Sequence, residues 1–188
     1  MKRFLVYSAA LCVVCALCYI SCAILFPLFF KLTEPVFIMP LHLEVEVSSA
    51  KDLPVRYDAY GNGEFGSKRR GGRKHSGLDI AAKMKTPVCA SKSGWGETFF
   101  YPTGYGHLVI IKHPGGWQTR YGHLHECAIK KPQWVWRGSL IGYVGKSGNA
   151  STSGIMPHLH FEIRYKNKPL DPVKFLVPYG RPWVKERG

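Results

Sequence analysis

The first thirty residues differ sharply in hydrophobic pattern from the rest of the chain. Residues 4–30 carry no charge. Lys2 and Arg3 precede this run, and Lys31 follows it. As a helix rising about 1.5 Å per residue, this run reaches roughly 40 Å, enough to cross a hydrocarbon core of about 30 Å. Its length and poor cleavage site favour an uncleaved signal anchor over a signal peptide whose removal would leave a secreted or periplasmic protein. The basic flank then predicts a single-pass protein of the cytoplasmic membrane, with the remaining chain outside the cytoplasm.

The pattern after the anchor predicts β-strands. Residues 41–47 alternate, with Leu41, Leu43, Val45 and Val47 on one face and His42, Glu44 and Glu46 on the other. Short apolar runs follow at 107–113, 117–124, 139–145 and 159–165, separated by Gly and Pro turns. No long helical period occurs outside the anchor. The chain is therefore predicted to be mainly β after one membrane helix, with residues 1–31 as the anchor, 32–56 as a linker and first strand, 57–178 as one domain and 179–188 as a tail.

Two histidines stand out in the stretch PHLHFEIR, residues 157–164. On a strand, residues two apart share a face, so His158 and His160 point to one side while Leu159 and Phe161 point to the apolar side. A lone histidine is often structural, whereas a pair on one face more often indicates metal or proton chemistry. Glu162 would share that face, and we favour a role in orienting a neighbour over a role as general base.

A second cluster lies in KHSGLDIAA, residues 74–82, where His75 and Asp79 are four residues apart. That spacing places both side chains on one face of either a helix or a strand, and Gly77 favours a loop entering a strand. A catalytic zinc has three protein ligands and one open position. His75, Asp79 and one histidine of the 158/160 pair would complete such a set.

A third cluster, RYGHLHE, repeats the spacing of two with His123 and His125. Spacing alone leaves open which pair supplies a metal ligand and which transfers protons.

Net charge and cysteine content say less about function than the histidine clusters do. The chain has 188 residues and a formal charge of +14, which favours anionic partners such as nucleic acid, anionic lipid or acidic envelope polymers. The membrane anchor argues against nucleic acid. The basic loop at 66–74 is expected to be solvated.

An oxidising compartment permits a disulfide between Cys89 and Cys127, but we favour free buried thiols.

Several motifs occur together in a fixed order: GRKHSGLDIAA, TPVCA, GYGHLVIIKH, RYGHL, VWRGSLIGYVGKSGN, PHLHFEIR and NKPLDPVKFL. With them, residues from about 57 to 176 resemble the LytM/lysostaphin-type zinc endopeptidases of bacterial cell walls. The resemblance implies an antiparallel-sheet, duplicated-hybrid-motif-like peptidase domain with a groove, spanning residues 57–178. It also implies that the substrate is a peptide crosslink or bridge of peptidoglycan.

The resemblance also assigns roles. It implies that His75, Asp79 and His160 bind Zn²⁺ and that His123 and His158 are catalytic, with His125 a bystander. The alternative is a non-catalytic LytM-domain regulator of other wall hydrolases, which would lack metal ligands.

Two segments depart from the family pattern. Residues 147–158 are about two residues longer than its usual turn, which is expected to reshape one wall of the groove. The stretch 94–106 is rich in aromatic residues that either line the groove or pack on the sheet.

Overall fold

The computed structural model describes residues 2–41, 43 and 49–177. The chain divides into two compact units, Met1–Pro35 and Val36–Gly188, which are described separately. The functional boundaries expected at residues 31, 56 and 178 remain predictions.

The first unit is helical. Helix α1 (Lys2–Ile20) and helix α2 (Phe26–Thr33) are joined by one π-helical turn, Ser21–Leu25. Residues Leu11–Thr33 have a mean hydropathy of 2.5. This segment is long and apolar enough to cross a membrane, as the sequence predicted.

The second unit consists of strands and single 3₁₀ turns within its described residues. The strands are β1 (Phe37–Ile38), β2 (Tyr57–Asp58), β3 (Gly61–Asn62), β4 (Leu78–Ala81), β5 (Pro87–Cys89), β6 (Gly94–Tyr101), β7 (Gly106–His113), β8 (Trp117–Cys127), β9 (Gln133–Val135), β10 (Leu140–Val144), β11 (His158–Tyr165), β12 (Lys168–Leu170) and β13 (Leu176–Val177). Strands β7, β8, β10 and β11 correspond to the four apolar runs seen in the sequence. Of the strand expected at 41–47, residues 42 and 44–47 lie outside the described residues, and Leu41 forms an isolated bridge with Val88.

Nine strands form one antiparallel sheet, which confirms the predicted fold class. Its main order is β12-β11-β8-β7-β6-β9, with β4 beside β11 and β10 bridging β5 and β8. A parallel pair, β1 with β13, and a hairpin, β2 with β3, lie outside this sheet. The turns between strands bring β4, β8 and β11 side by side, and these three strands carry most of the candidate chemistry.

The alternation along β11 separates the core from the chemistry. Leu159, Phe161 and Ile163 are fully buried in the apolar core. Burying side chains of this size contributes about 1.5–3 kcal/mol each. His158 and His160 occupy the opposite face of the strand, so the packing of the core fixes the direction of both imidazoles.

Cys89 and Cys127 are free thiols as predicted, but only Cys89 is buried and Cys127 is partly exposed. Burial raises the pKa of both, that of Cys127 to about 11, so neither forms a thiolate near neutral pH.

Candidate metal centre and active site

Two neighbouring strands and one loop bring three candidate ligands together. Asp79 on β4 lies directly opposite His160 on β11, and side chains of such cross-strand pairs share a face. His75 reaches them from the loop before β4. Gly77 allows that approach because a Cβ atom there would lie 2.5 Å from the carbonyl oxygen of Phe161. The same Cβ atom would lie 2.9 Å from the His160 ring, so a larger residue at 77 would clash with β11.

The three candidate ligands converge through one atom each. Asp79 Oδ1 lies 2.8 Å from His160 Nδ1 and 3.1 Å from His75 Nε2, and the two ring nitrogens are 3.0 Å apart. All three side chains are buried. Two imidazole nitrogens and one carboxylate oxygen are donors that zinc accepts in proteins.

The remaining polar atom of each ligand has its own partner. His75 Nδ1 donates to the carbonyl oxygen of Glu64 at 2.9 Å, which leaves its Nε2 lone pair pointing inward. His160 Nε2 lies 3.0 Å from Glu162 Oε1, which fixes that ring with Nδ1 inward. Arg56 and Arg69 hold Asp79 Oδ2 at 3.1 and 3.0 Å. Outer partners of this kind orient metal ligands and select their tautomers.

The electrostatic field at this point favours a cation. Burial alone would lower the pKa of His160, but hydrogen bonds and charges from Asp79 and Glu162 outweigh it and raise the pKa to about 9. Burial would likewise raise the pKa of Asp79, yet hydrogen bonds from His160 and His75 hold it well below its usual range. The carboxylate is therefore ionised at neutral pH and available to a metal.

His123 enters the same site through a β-bulge. Its φ of +59° lies in the left-handed region, and the pairing of β7 with β8 shifts register between His107–Leu124 and Val109–Tyr121. Strict alternation would have placed His123 on the core side with Tyr121. The extra residue turns its ring outward instead, with its centroid 4.9 Å from the ring of His158.

His123 and His158 are held in matching tautomers. Nδ1 of His123 donates to the carbonyl oxygen of Ser147 at 2.9 Å, and Nδ1 of His158 donates to that of Met156 at 2.7 Å. Burial, reinforced by the neighbouring histidines, lowers the pKa of His123 to about 3, and burial also lowers the pKa of His158. Both rings are therefore neutral near pH 7, with Nε2 able to accept a proton.

These side chains open into a cleft of about 610 Å³. The segment 147–158 supplies one wall with Asn149, Ala150, Thr152 and Ile155. Asn149 Oδ1 accepts a hydrogen bond from the backbone N–H of Gly104. The backbone N–H of Asn149 donates in turn to the carbonyl oxygen of Gly104. This wall is thereby tied to the turn between β6 and β7.

The sequence profile of Peptidase family M23 matches residues 73–172, more than half of the chain. This chain belongs to peptidase family M23. The matched range includes all five candidate residues, His75, Asp79, His123, His158 and His160.

One relative of this chain carries an activity in its name. The DD-carboxypeptidase/endopeptidase Mpg of Neisseria meningitidis is 39% identical over 106 residues, covering 56% of this chain and 24% of the relative. The chain thus spans about a quarter of that relative's length.

Two solved structures share the M23 fold. A zinc-containing peptidase from Vibrio cholerae is 29% identical, with a TM-score of 0.57 over 73% of this chain and 39% of that one. The catalytic domain of lysostaphin from Staphylococcus simulans is 27% identical, with a TM-score of 0.53 over 68% and 97%. The lysostaphin match confirms the resemblance drawn from the motifs.

The remaining histidines of the described residues lie away from the M23 cleft. His125 is exposed and does not line it, and neither do His107 and His113, to which the sequence assigned no chemistry. His42 lies outside the described residues. The 94–106 stretch has five aromatic residues, of which Tyr105 lines the cleft. The other four are exposed on β6 and do not line it: Trp95, Phe99, Phe100 and Tyr101.

Sequence reasoning missed the residues that support the ligands. Arg56 and Arg69 bind Asp79 from 23 and 10 residues away, and Tyr105 donates to Glu162 at 2.7 Å from 57 residues away. The prediction of a solvated loop at 66–74 is wrong for Arg69, which is mostly buried against Asp79. No spacing signal marks such contacts, because they depend on which strands become neighbours.

The interpretation of Glu162 as an orienting carboxylate agrees with its geometry. It is fully buried, and it accepts hydrogen bonds from His160, Ser76, Tyr105 and Arg164. Because every one of these contacts restrains the carboxylate, Glu162 fixes the ring of His160 and has no free oxygen for general-base work.

Proposed function

We propose that this M23 chain is a zinc-dependent endopeptidase that hydrolyses peptide crosslinks or bridges of bacterial peptidoglycan. In this proposal His75, Asp79 and His160 bind zinc, and His123 and His158 are catalytic. The observation that carries it is the convergence of one lone-pair atom from each of three buried side chains, with the other polar atom of each held by a partner.

The mechanism follows from the positions of the residues. When bound, zinc supplies a Lewis acid that polarises a peptide carbonyl and lowers the pKa of water. His123 and His158 present neutral Nε2 atoms on the same side of the site as the three ligand atoms. One of the two accepts a proton from the attacking water, and the imidazolium so formed stabilises the developing oxyanion and gives that proton to the leaving amine.

The comparisons support this choice. One relative is named as an endopeptidase, and one structural neighbour is described as a zinc-containing peptidase. A non-catalytic regulator would be expected to lack ligands or catalytic histidines. All five residues are present and converge on one cleft, so the hydrolytic function is favoured.

The N-terminal helix suggests where the enzyme works. We propose that it anchors the protein in the cytoplasmic membrane, with the second unit outside the cytoplasm. The positive charge of the protein then favours contact with anionic lipid or envelope polymers.

Digestion of purified peptidoglycan tests the function. Residues 32–188, loaded with zinc, are incubated with peptidoglycans of different crosslink types, and the fragments are identified by mass spectrometry. We expect new amino termini within peptide crosslinks or bridges, and none with the His160→Ala variant. Intact peptidoglycan of every type, with zinc fully bound, would refute hydrolysis and favour the regulator.

A further inference from the structure

The cleft carries more positive charge than the metal site requires. Four cationic side chains line it, Arg56, Arg69, Arg73 and Lys74. Asp79 is the single carboxylate among the described residues of its lining. The proposed zinc would add further positive charge, so the cleft as a whole favours an anionic ligand.

Two of these cations are already engaged. Arg56 pairs with Asp58 at 2.6 Å and with Asp79 at 3.1 Å. Arg69 pairs with Asp79 at 3.0 Å and donates to the carbonyl oxygen of Asn62 at 2.8 Å. Both guanidinium groups are thus committed to holding the ligand carboxylate and the chain around it.

The other two cationic side chains of the cleft are available to contact a ligand. Arg73 and Lys74 are exposed at the cleft, and neither forms an ion pair within residues 49–177. A pair of adjacent cations with no acidic partner, immediately before the candidate ligand His75, has the chemistry of an anion subsite. Arginine in particular binds a carboxylate through two parallel hydrogen bonds.

Backbone hydrogen bonds hold the loop that carries Arg73 and Lys74 in a defined conformation. Arg69 N–H donates to the carbonyl oxygen of Arg73 at 2.9 Å, and His75 N–H donates to that of Ser67 at 2.9 Å. The turn between the two arms contains Gly71 and Gly72, both at positive φ. Because the arms are hydrogen-bonded, the backbone at Arg73 is held in place beside the metal site before any ligand binds.

We propose that Arg73 and Lys74 form a subsite for a free carboxylate of the peptide substrate, close to the scissile bond. This inference rests on the proposed function and narrows it: the enzyme prefers stem-type peptides that carry carboxylates to neutral glycine bridges. A glycine bridge offers these two cations no counter-charge, whereas an acidic peptide forms charge-assisted hydrogen bonds with them.

The test uses the zinc-loaded full chain in detergent micelles and three synthetic peptides of equal length. One carries a carboxylate beside the scissile amide, the second a carboxamide at the same position, and the third is all glycine. We expect kcat/KM to be about 10-fold higher for the acid than for its amide, the scale of one charge-assisted contact. The preference should shrink in high salt.

Substitutions of Arg73 and Lys74 test whether these two residues cause the preference for the acidic peptide. Arg73→Gln/Lys74→Gln should lower kcat/KM for the acid by about 10-fold, largely through KM, and leave the amide unchanged. The matched control is Lys131→Gln/Arg137→Gln, which removes two exposed cations outside the cleft and should keep the preference. Arg73→Gln alone provides a second, milder test. Equal rates on acid and amide in the wild type, or equal losses in the control, would overturn the subsite.

Binding separates this inference from the function on which it rests. The zinc-loaded His123→Ala protein is titrated with the acid and the amide in a calorimeter. Tighter binding of the acid without any cleavage by the wild type would support the subsite and refute the hydrolase. Equal affinities together with normal cleavage would refute the subsite and leave the hydrolase standing.

Discussion

His113 offers a quantitative test of the fold, because it is a buried histidine outside the active site. Its side chain lies between the carbonyl oxygen of Ser93 and the hydroxyl of Thr119, each at 2.9 Å. Burial lowers its pKa from 6.5 to about 4. The folded protein therefore binds this proton more weakly than the unfolded chain does, and protonation favours unfolding.

The pH window follows from these two values. Stability from this residue is complete above about pH 6.5, falls as the pH drops, and levels off below about pH 4. A difference of 2.5 pKa units corresponds to about 3 kcal/mol of free energy of unfolding. His113→Gln keeps a polar side chain of similar length that never titrates, so it should remove this contribution to the pH dependence.

The assay is guanidinium unfolding of residues 32–188 at pH 7.0, 5.5 and 4.0, with metal removed by a chelator. We expect the wild type to lose about 3 kcal/mol more than His113→Gln between pH 7.0 and pH 4.0. The exposed His125, replaced by Gln, is the matched control and should behave as the wild type. Identical pH dependence in the wild type and His113→Gln would refute the reasoning.

Three further predictions concern the site and the anchor. His123→Ala and His158→Ala should retain zinc but lose roughly 10²–10⁴ in turnover, whereas His125→Ala should remain active; peptide cleavage and zinc analysis check this. Glu162→Gln should weaken zinc binding by about 10–100-fold in a competition titration, because it loosens His160. The intact N-terminal helix should fractionate with membranes, and a mature protein that begins near Ile24 and is found free of membranes would contradict the anchor.

The sequence anticipated those parts of the site that depend on local periodicity. His158 and His160 share a face because residues two apart on a strand do so. His75 and Asp79, four residues apart, also point to one site, although His75 lies in a loop and Asp79 on the strand that follows. The core face of β11 followed from the same alternation. Ordered motifs then specified the family and hence the neighbouring strands.

Local periodicity alone does not predict the parts of the site that depend on tertiary structure, and His123 was assigned only through the family resemblance. His123 reaches the site only because a bulge reverses its face, and alternation alone would place it in the core. Arg69 meets Asp79 from the loop at 66–75, whereas Arg56 is placed by its own backbone N–H, which donates to the carbonyl oxygen of Asp79 at 2.9 Å. Neither contact has a sequence period. Tyr105 and Glu162 likewise become partners only when β7 and β11 both flank β8.

Zinc analysis of matched variants tests the central claim most directly. Purified residues 32–188 of the wild type, His160→Ala and His125→Ala are dialysed against the same buffered zinc, and the metal bound per chain is measured by elemental mass spectrometry. We expect one zinc ion per chain in the wild type and in His125→Ala, and none in His160→Ala. Full zinc occupancy in a folded His160→Ala protein would contradict the central claim.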